Sequence, residues 1–576
     1  MNTIASHLIA LYGEAAGRAA FDRLAALIAH YRTHIPAPRA MGLTERDAIL
    51  ITYADQVQEP GRLPLRSLAD FCERYLVGTV SGIHLLPFYP SSSDDGFAVI
   101  DYRVVDPVLG DWDDVGRLNQ RFRLVFDAVF NHVSAQSRWF QSFLRDDPVY
   151  SDYFIVVPEG TDLSQVVRPR SSPLLTRFAT PSGEKLVWTT FSPDQVDLNY
   201  TNPAVLLKMI DTLLFYVSHG AGFIRLDAIA YLWKELGTPC IHLPQTHRII
   251  QLLKAVLDEA APHVGLITET NVPHTENIAY FGDGTNEAQL VYNFALPPLV
   301  LHAFHTGNAR TLSQWAGRLS RPGGRVTFLN FLASHDGIGL NPARGILKLS
   351  EIEALVRRAL AHGGLVSYKN NPDGTTSPYE LNLNYFNALS NPVTDEAIDL
   401  RIDRFMAAQA IMLALVGVPG IYFHSLFGSE GWREGVSLSG SNRAINREKC
   451  DRTALEGELD DPGSRRHNVF IRYKQLLNVR TAHPAFHPQG EQRVLNCDRS
   501  IFALLRRAPD EAEQVLCLHN VSSKGRVVEL DLRAIFDFPL DGLTDLITGQ
   551  TETATARQTL RLNPYQVFWL KPGVQG

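Results

Sequence analysis

The sequence predicts an α/β fold, a (β/α)8 TIM barrel with inserted loop subdomains, an N-terminal helical extension and a C-terminal β domain. Three observations carry this. Seven apolar runs of strand length, at 48–54, 82–88, 123–130, 222–229, 265–270, 326–333 and 417–423, each read as a strand buried on both faces. Stretches of helical period such as Val205 to Val217 and Ile249 to Leu257 lie between them, so strand and helix alternate as in a parallel sheet. Polar residues gather where the strands end: Asp94 after the second run, Asn131 and His132 after the third, Arg225 and Asp227 in the fourth, Glu269 in the fifth, and His335 and Asp336 after the sixth. A doubly wound open sheet would bind at one switch point, often with a glycine-rich phosphate turn, whereas a barrel places polar residues at many strand C-termini.

In chain order, residues 1–47 read as the helical extension. Ile4, Leu8 and Leu11, then Phe21, Leu24 and Leu27 or Ile28, recur at three-to-four spacing, and Pro36 and Pro38 close it. The first part of the barrel, 48–133, holds the first three runs. Residues 134–195 are too long for a simple connection and carry VVRPRSSP and ATPSGE, the texture of an inserted subdomain. The next three runs fall in 196–340, the middle of the barrel. A second excursion, 341–395, contains NNPDGTTSPYELN and is expected over the barrel mouth, and 396–485 completes the barrel. Beyond it, 491–507, 514–519 and 525–532 alternate like strands and an apolar run closes at Leu570, so 486–576 is expected to be a separate β domain.

Composition narrows the function. The chain is 45% hydrophobic and 20% charged with no low-complexity tract, as in soluble globular proteins. Its net charge of −7 includes no long block of one sign, so no nucleic-acid partner is expected. The five cysteines are scattered without a CxxC pair, which signals neither a disulfide framework nor zinc and suits a cytoplasmic protein. No run approaches the roughly 18 apolar residues that span a bilayer, and the start lacks a leader pattern, so no membrane partner is expected. The helical extension has the apolar positions to pack on the barrel or on a second copy of the chain, which makes a homodimer an expectation.

Asp227 sits two residues after Arg225 on the same face of a strand, where a carboxylate is costly unless paired. Such a pair is either a structural ion pair or the means of keeping a nucleophile ionised. Glu269 and Asp336 end two further strands, either as hydrogen-bonded structural acids or as working ones. Together with His132 and His335, the three carboxylates suit glycosyl transfer, in which one attacks the anomeric carbon and a second, with a raised pKa, protonates the departing oxygen. A metal site is the competing reading of the same groups, but no HExxH or EF-hand spacing accompanies them.

The blocks Asp127-Ala-Val-Phe-Asn-His132, Gly222-Phe-Ile-Arg-Leu-Asp227-Ala228, Ile267-Thr-Glu269 and Leu332-Ala-Ser-His335-Asp336 resemble, in order and spacing, the signature regions of the α-amylase superfamily. LLPFYP with SDDGF, RPR at 168–170, YNFALPPLVLHA, SHDGIG and NRAINR at 442–447 look like its sucrose-phosphorylase branch. The N-terminal extension and the segment from Tyr368 to Asn382 look like the glucosylglycerate phosphorylases of that branch.

The resemblance implies reversible phosphorolysis with retention, Asp227 as nucleophile, Glu269 as general acid then base, and Asp336 as the third carboxylate. It places Asp94, His132, Arg225, His335 and Arg443 around the glucosyl ring, Arg170 on the phosphate, and Tyr231 and Tyr379 beside the acceptor. Glu380 lies where sucrose phosphorylases typically carry glutamine, which turns the acceptor away from fructose. A carboxylate acceptor calls for a cation, Lys369 or Arg170. The alternatives are a sucrose, sucrose 6'-phosphate or glucosylglycerol phosphorylase, or a glucosidase or transglucosylase on the same scaffold. The partners implied are a small glucoside and inorganic phosphate, with no cofactor and no metal.

Overall fold

The computed structural model describes residues 1–37, 42–323, 325–371, 373–536 and 540–574. Pro38, and Pro372 within the 368–382 segment, lie outside them. Eight parallel strands close on themselves: β1 (Ile49–Thr52), β2 (Gly82–Leu85), β3 (Arg123–Ala128), β4 (Ala221–Leu226), β5 (Gly265–Thr268), β6 (Leu290–Tyr292), β7 (Thr327–Asn330) and β8 (Val418–Tyr422), each hydrogen-bonded to the next and β8 to β1. Seven of them are the seven apolar runs. The eighth, β6, is three residues long, too short to show a period, and the sequence reveals it only as part of a longer apolar stretch.

The strands are buried on both faces because side chains from nearly all of them fill the barrel while the others meet the surrounding helices. Ile49, Val125, Phe223, Ile267, Leu290, Leu329 and Val418 form one interior cluster, contributed by seven different strands. Outside it pack α3 (Pro64–Tyr75), α4 (Trp112–Asn119), α5 (Pro203–Ser218) and α6 (Pro244–Ala260). The start of α5 is legible locally, since Asn202 accepts the Ala204 N–H and Pro203 occupies the first helical position, where no donor is needed.

The extension forms two helices, α1 (Asn2–Tyr12) and α2 (Glu14–Arg32), packed on α5 and α6 of the same chain. Ile4, Leu8, Leu24 and Ile28 are the buried positions. Tyr12 Oη donates to Tyr200 O at 2.9 Å, and Tyr31 Oη to Asp211 Oδ1 at 2.9 Å.

Two small pairings bring distant segments to the barrel mouth. Strand His132–Ser134, just past β3, pairs antiparallel with Gln195–Asp197 and sets His132 beside the end of the first insertion. Ile338–Gly339, just past β7, pairs with Thr376–Asn382, itself paired with Leu365–Asn370. A Cβ at Gly337 would lie 2.5 Å from Leu381 O and 2.6 Å from Glu380 Cγ, so glycine permits this close approach of Glu380 to the segment carrying Asp336.

The C-terminal residues build a six-stranded sheet and a separate strand pair, Arg526–Asp531 with Arg557–Leu562. The alternating run 491–507 is two antiparallel strands, Glu491–Leu495 and Ile501–Arg507, divided by a turn in which Asp498 Oδ1 accepts the Ser500 N–H at 2.7 Å.

Candidate active site

The C-terminal ends of β4, β5 and β7 deliver three carboxylates to one place. Asp227 follows Leu226, the last residue of β4, and Ala228 beyond it takes a left-handed φ of +48° that only a tightly determined turn sustains. Glu269 follows β5, and its Oε2 accepts the Ala228 N–H at 3.2 Å. Asp336 and His335 follow β7. Asp227, Glu269 and Asp336 line a single cavity of about 70 Å³ together with Asp94, His132, Arg170, Tyr231, His335, Tyr379 and Arg443. The cavity opens outward into a chamber of about 790 Å³ that shares Asp94, Arg170, Tyr379 and Arg443 and adds Glu380 to its wall. The site residues expected from the sequence therefore meet here, except that Arg225 lies behind the wall and Lys369 lines neither chamber.

Arg225 is fully buried, with Phe97 and Tyr292 rings over its guanidinium at 5.7 and 5.6 Å. Nη1 donates to Asp227 Oδ1 at 2.9 Å and to Asp127 Oδ1, while Glu269 Oε2 lies 3.8 Å from Nη2. Asp127 is completed by His84 at 2.7 Å. Burial, reinforced by Glu269, Asp127 and Asp336 against the pull of Arg225, pushes the Asp227 carboxyl well above the usual carboxylate range, and burial likewise raises Glu269. The two carboxyls titrate as a pair that retains a proton. Arg225 donates directly to Asp227 and only approaches Glu269, a geometry that favours the charge on Asp227 and the proton on Glu269.

Asp336 behaves oppositely. Burial raises its carboxyl, but Arg443, His335 and Arg447 outweigh burial and hold it well below the usual range. His335 is pushed down to about 3, chiefly by burial, and is neutral, stacked on Phe97 at 4.9 Å. His132 is also lowered by burial, with Nε2 at 3.0 Å from Phe97 O. Two carboxyls raised by burial and a third kept ionised by its arginines, around a small cavity, form a site able to break a glycosidic bond in two displacements.

Arg443 and Glu380 do not stand free. Arg443 Nη1 contacts Asp336 at 2.6 Å, and its Nε and Nη2 grip both oxygens of Glu380 at 3.1 and 2.9 Å. Glu380 is 1% exposed, so its carboxylate braces Arg443 against Asp336. Glu380→Gln is expected to cost about 3 kcal/mol, as when one member of a buried pair is removed. A lower thermal midpoint will show this, and an unchanged midpoint will show that the brace is not closed in solution.

Arg170 sits 5.7 Å from the centres of both the Phe191 and Tyr379 rings and has no carboxylate within 4.0 Å among the described residues. It is the unpaired cation of the site. Lys369 is absent from the lining of both chambers and sits near Glu276 and Arg344.

Several contributors were not singled out in the sequence. Arg447, in the same NRAINR block as Arg443, is 2% exposed, donates from Nε to His335 O at 2.9 Å and lies 3.5 Å from Asp94 and 3.6 Å from Asp336. It also pairs with Asp95. Asp94 and Asp95 both have left-handed φ, +51° and +47°, so a turn costly for non-glycine residues is anchored by that arginine. Phe97, Phe191 and Gln195 line the cavity as well, and Gln195 Nε2 donates to Phe97 O at 3.3 Å. Arg447, Asp95 and Phe97 fall inside motifs already quoted; Phe191 and Gln195 lie in the insertion, where no motif marked them.

Fold and site define an enzyme that moves glycosyl groups with carboxylates on an α-amylase-type barrel. Residues 75–322 match the model of the α-amylase catalytic domain. The chain is 53% identical over 569 residues to the glucosylglycerate phosphorylase of Allomeiothermus silvanus, covering 99% of this chain and 98% of that protein. It is 31% identical to the sucrose phosphorylase of Agrobacterium vitis, over 77% of this chain and 89% of the other. The crystal structure of sucrose 6F-phosphate phosphorylase from Thermoanaerobacter thermosaccharolyticum superposes with a TM-score of 0.72 at 25% identity, covering 83% of this chain and 94% of that one. The chain belongs to the glucosylglycerate phosphorylase family of the α-amylase superfamily.

Proposed function

We propose that the protein catalyses the reversible phosphorolysis of 2-O-α-D-glucosyl-D-glycerate to α-D-glucose 1-phosphate and D-glycerate. The observation that carries this is the full-length similarity to a protein of that name, 53% against 31% for a sucrose phosphorylase. The unpaired Arg170 supports it, since both phosphate and glycerate bring an anion to the acceptor side.

Asp227 attacks the anomeric carbon as the bond to the glycerate oxygen breaks, and Glu269 gives that oxygen its proton. A β-glucosyl ester on Asp227 results. Phosphate then attacks the same carbon, Glu269 takes up the phosphate proton, and the ester breaks, so two inversions give the α product. Asp336, ionised by Arg443 and Arg447, stabilises positive charge on the ring and accepts from its hydroxyls. Asp94, His132, His335 and Arg443 surround the glucosyl group, while Tyr231 and Tyr379 face the acceptor. This chemistry needs no cofactor. The five cysteines are free, four of them buried, which supports a reducing cytoplasm.

Because Glu269 must begin protonated and Asp227 ionised, kcat/KM for the glucoside is expected to be low in acid, where Asp227 carries a proton, and to fall again as pH rises through the raised pKa of the Asp227–Glu269 pair. In Glu269→Gln assayed with α-glucosyl fluoride, whose leaving group needs no proton, the alkaline limb should disappear. If it persists, Glu269 is not the acid.

The deciding assay follows phosphate-dependent release of glucose 1-phosphate from glucosylglycerate, with sucrose and glucosylglycerol in parallel. Release from glucosylglycerate alone is expected. Release only from sucrose or glucosylglycerol would overturn the acceptor, and free glucose without phosphate dependence would overturn phosphorolysis.

A further inference from the structure

A second cleft, of about 770 Å³, opens where the C-terminal domain meets α7 (Leu296–Thr306), α8 (Leu349–Ala361) and α9 (Ile398–Ala414). It shares no lining residue with the two active-site chambers. Its cations come from distant parts of the chain: Arg358 from α8 in the second excursion, Arg404 from the barrel helix α9, and Arg499, Lys524 and Arg526 from the C-terminal loops and strand. Two carboxylates oppose them. Glu396 is fully engaged by Arg404, with Nη1 to Oε2 at 2.8 Å, and Asp395 has no cation within 4.0 Å among the described residues.

The other four cations have no carboxylate within 4.0 Å among the described residues. Arg358 donates to His305 O at 3.1 Å and Arg526 to Ser522 Oγ at 3.3 Å, which leaves most of their guanidinium donors unused. In the active site, by contrast, Arg225, Arg443 and Arg447 are all bound to carboxylates. Four unneutralised like charges around one concavity repel one another, and in a chain of net charge −7 they are not a general surplus. A cleft in which one sign predominates concentrates counter-ions, and guanidinium forks match phosphoryl oxygens. The volume falls within the range of small-molecule sites.

We propose that this cleft binds a small metabolite bearing two or more phosphoryl groups, of the sugar-bisphosphate or nucleoside-triphosphate class, and that it is separate from the phosphate-handling active site. The hydroxyls of Thr306 and Ser523 and the Tyr565 ring, over which Arg404 lies at 4.8 Å, supply the remaining contacts.

The test is calorimetric titration of the full-length Arg170→Ala protein, in which the active-site cation is gone, with fructose 1,6-bisphosphate and with ATP as probes and sulfate as control. One site per chain is expected for at least one probe, weakened by about tenfold or more in Arg499→Ala/Lys524→Ala and weakened further by salt. Both substituted residues are exposed and outside the catalytic machinery, so in the otherwise wild-type chain this double variant should keep its phosphorolysis rate. Binding by one probe alone identifies its class, and equal binding by both identifies the phosphoryl groups as the recognised feature. No binding by either probe, binding matched by sulfate, or binding unchanged in the double variant would overturn the proposal.

Discussion

Asp227→Asn is expected to lower the rate of phosphorolysis by about 10^4-fold or more, the scale seen when a covalent nucleophile is removed from a site that otherwise stays intact. Asparagine keeps the shape of the carboxyl and can still accept from Arg225, which lies 2.9 Å away. What it loses is the ability to form and release a glucosyl ester. The fold should survive, because Arg225 retains Asp127 and His84 completes that cluster. Steady-state release of glucose 1-phosphate and a thermal melt of the same sample separate the two effects. Turnover within tenfold of the parent would remove Asp227 from the role of nucleophile. A collapsed melting transition would instead place it among the structural ion pairs.

Arg170→Ala is expected to reduce kcat/KM for phosphate by roughly 10^2- to 10^3-fold, the loss typical of truncating one partner of a charge-assisted contact. Synthesis from glucose 1-phosphate should suffer through glycerate by a similar factor, because the same guanidinium meets whichever anion occupies the acceptor side. Hydrolysis of the glucosyl-enzyme needs no anion there, so water should gain relative to phosphate. Lys369→Met provides the contrast: Lys369 is outside the lining of both chambers, and turnover should stay within about threefold, the level of an indirect surface change. Loss of glycerate turnover in Lys369→Met with Arg170→Ala unaffected would reverse the assignment of the acceptor cation.

The individual barrel strands were legible because each is a short apolar run ended by a polar residue. Glu269 illustrates this, emerging from Gly265–Thr268 as a charge no buried strand would carry without use. The missing strand, Leu290–Tyr292, was hidden by its length alone. The site was legible to the extent that its members lie inside strand-end blocks, as Asp227, Glu269 and Asp336 do. Arg443 and Arg447 show the boundary. Both belong to NRAINR, and nothing in their spacing says that Arg447 secures the Asp94–Asp95 turn while Arg443 is braced by Glu380.

Local pattern thus determined the elements and marked the three strand-end carboxylates as candidates, since period, strand length and the cost of burying charge are properties of short stretches of chain. Tertiary structure alone decided which carboxyl Arg225 grips, which cation is free of a carboxylate partner, and which four basic residues from two domains face one cleft. Each of these depends on electrostatic neighbours as distant in sequence as Asp94 and Arg447, and on how far burial strips them of water, and neither quantity exists until the chain is folded.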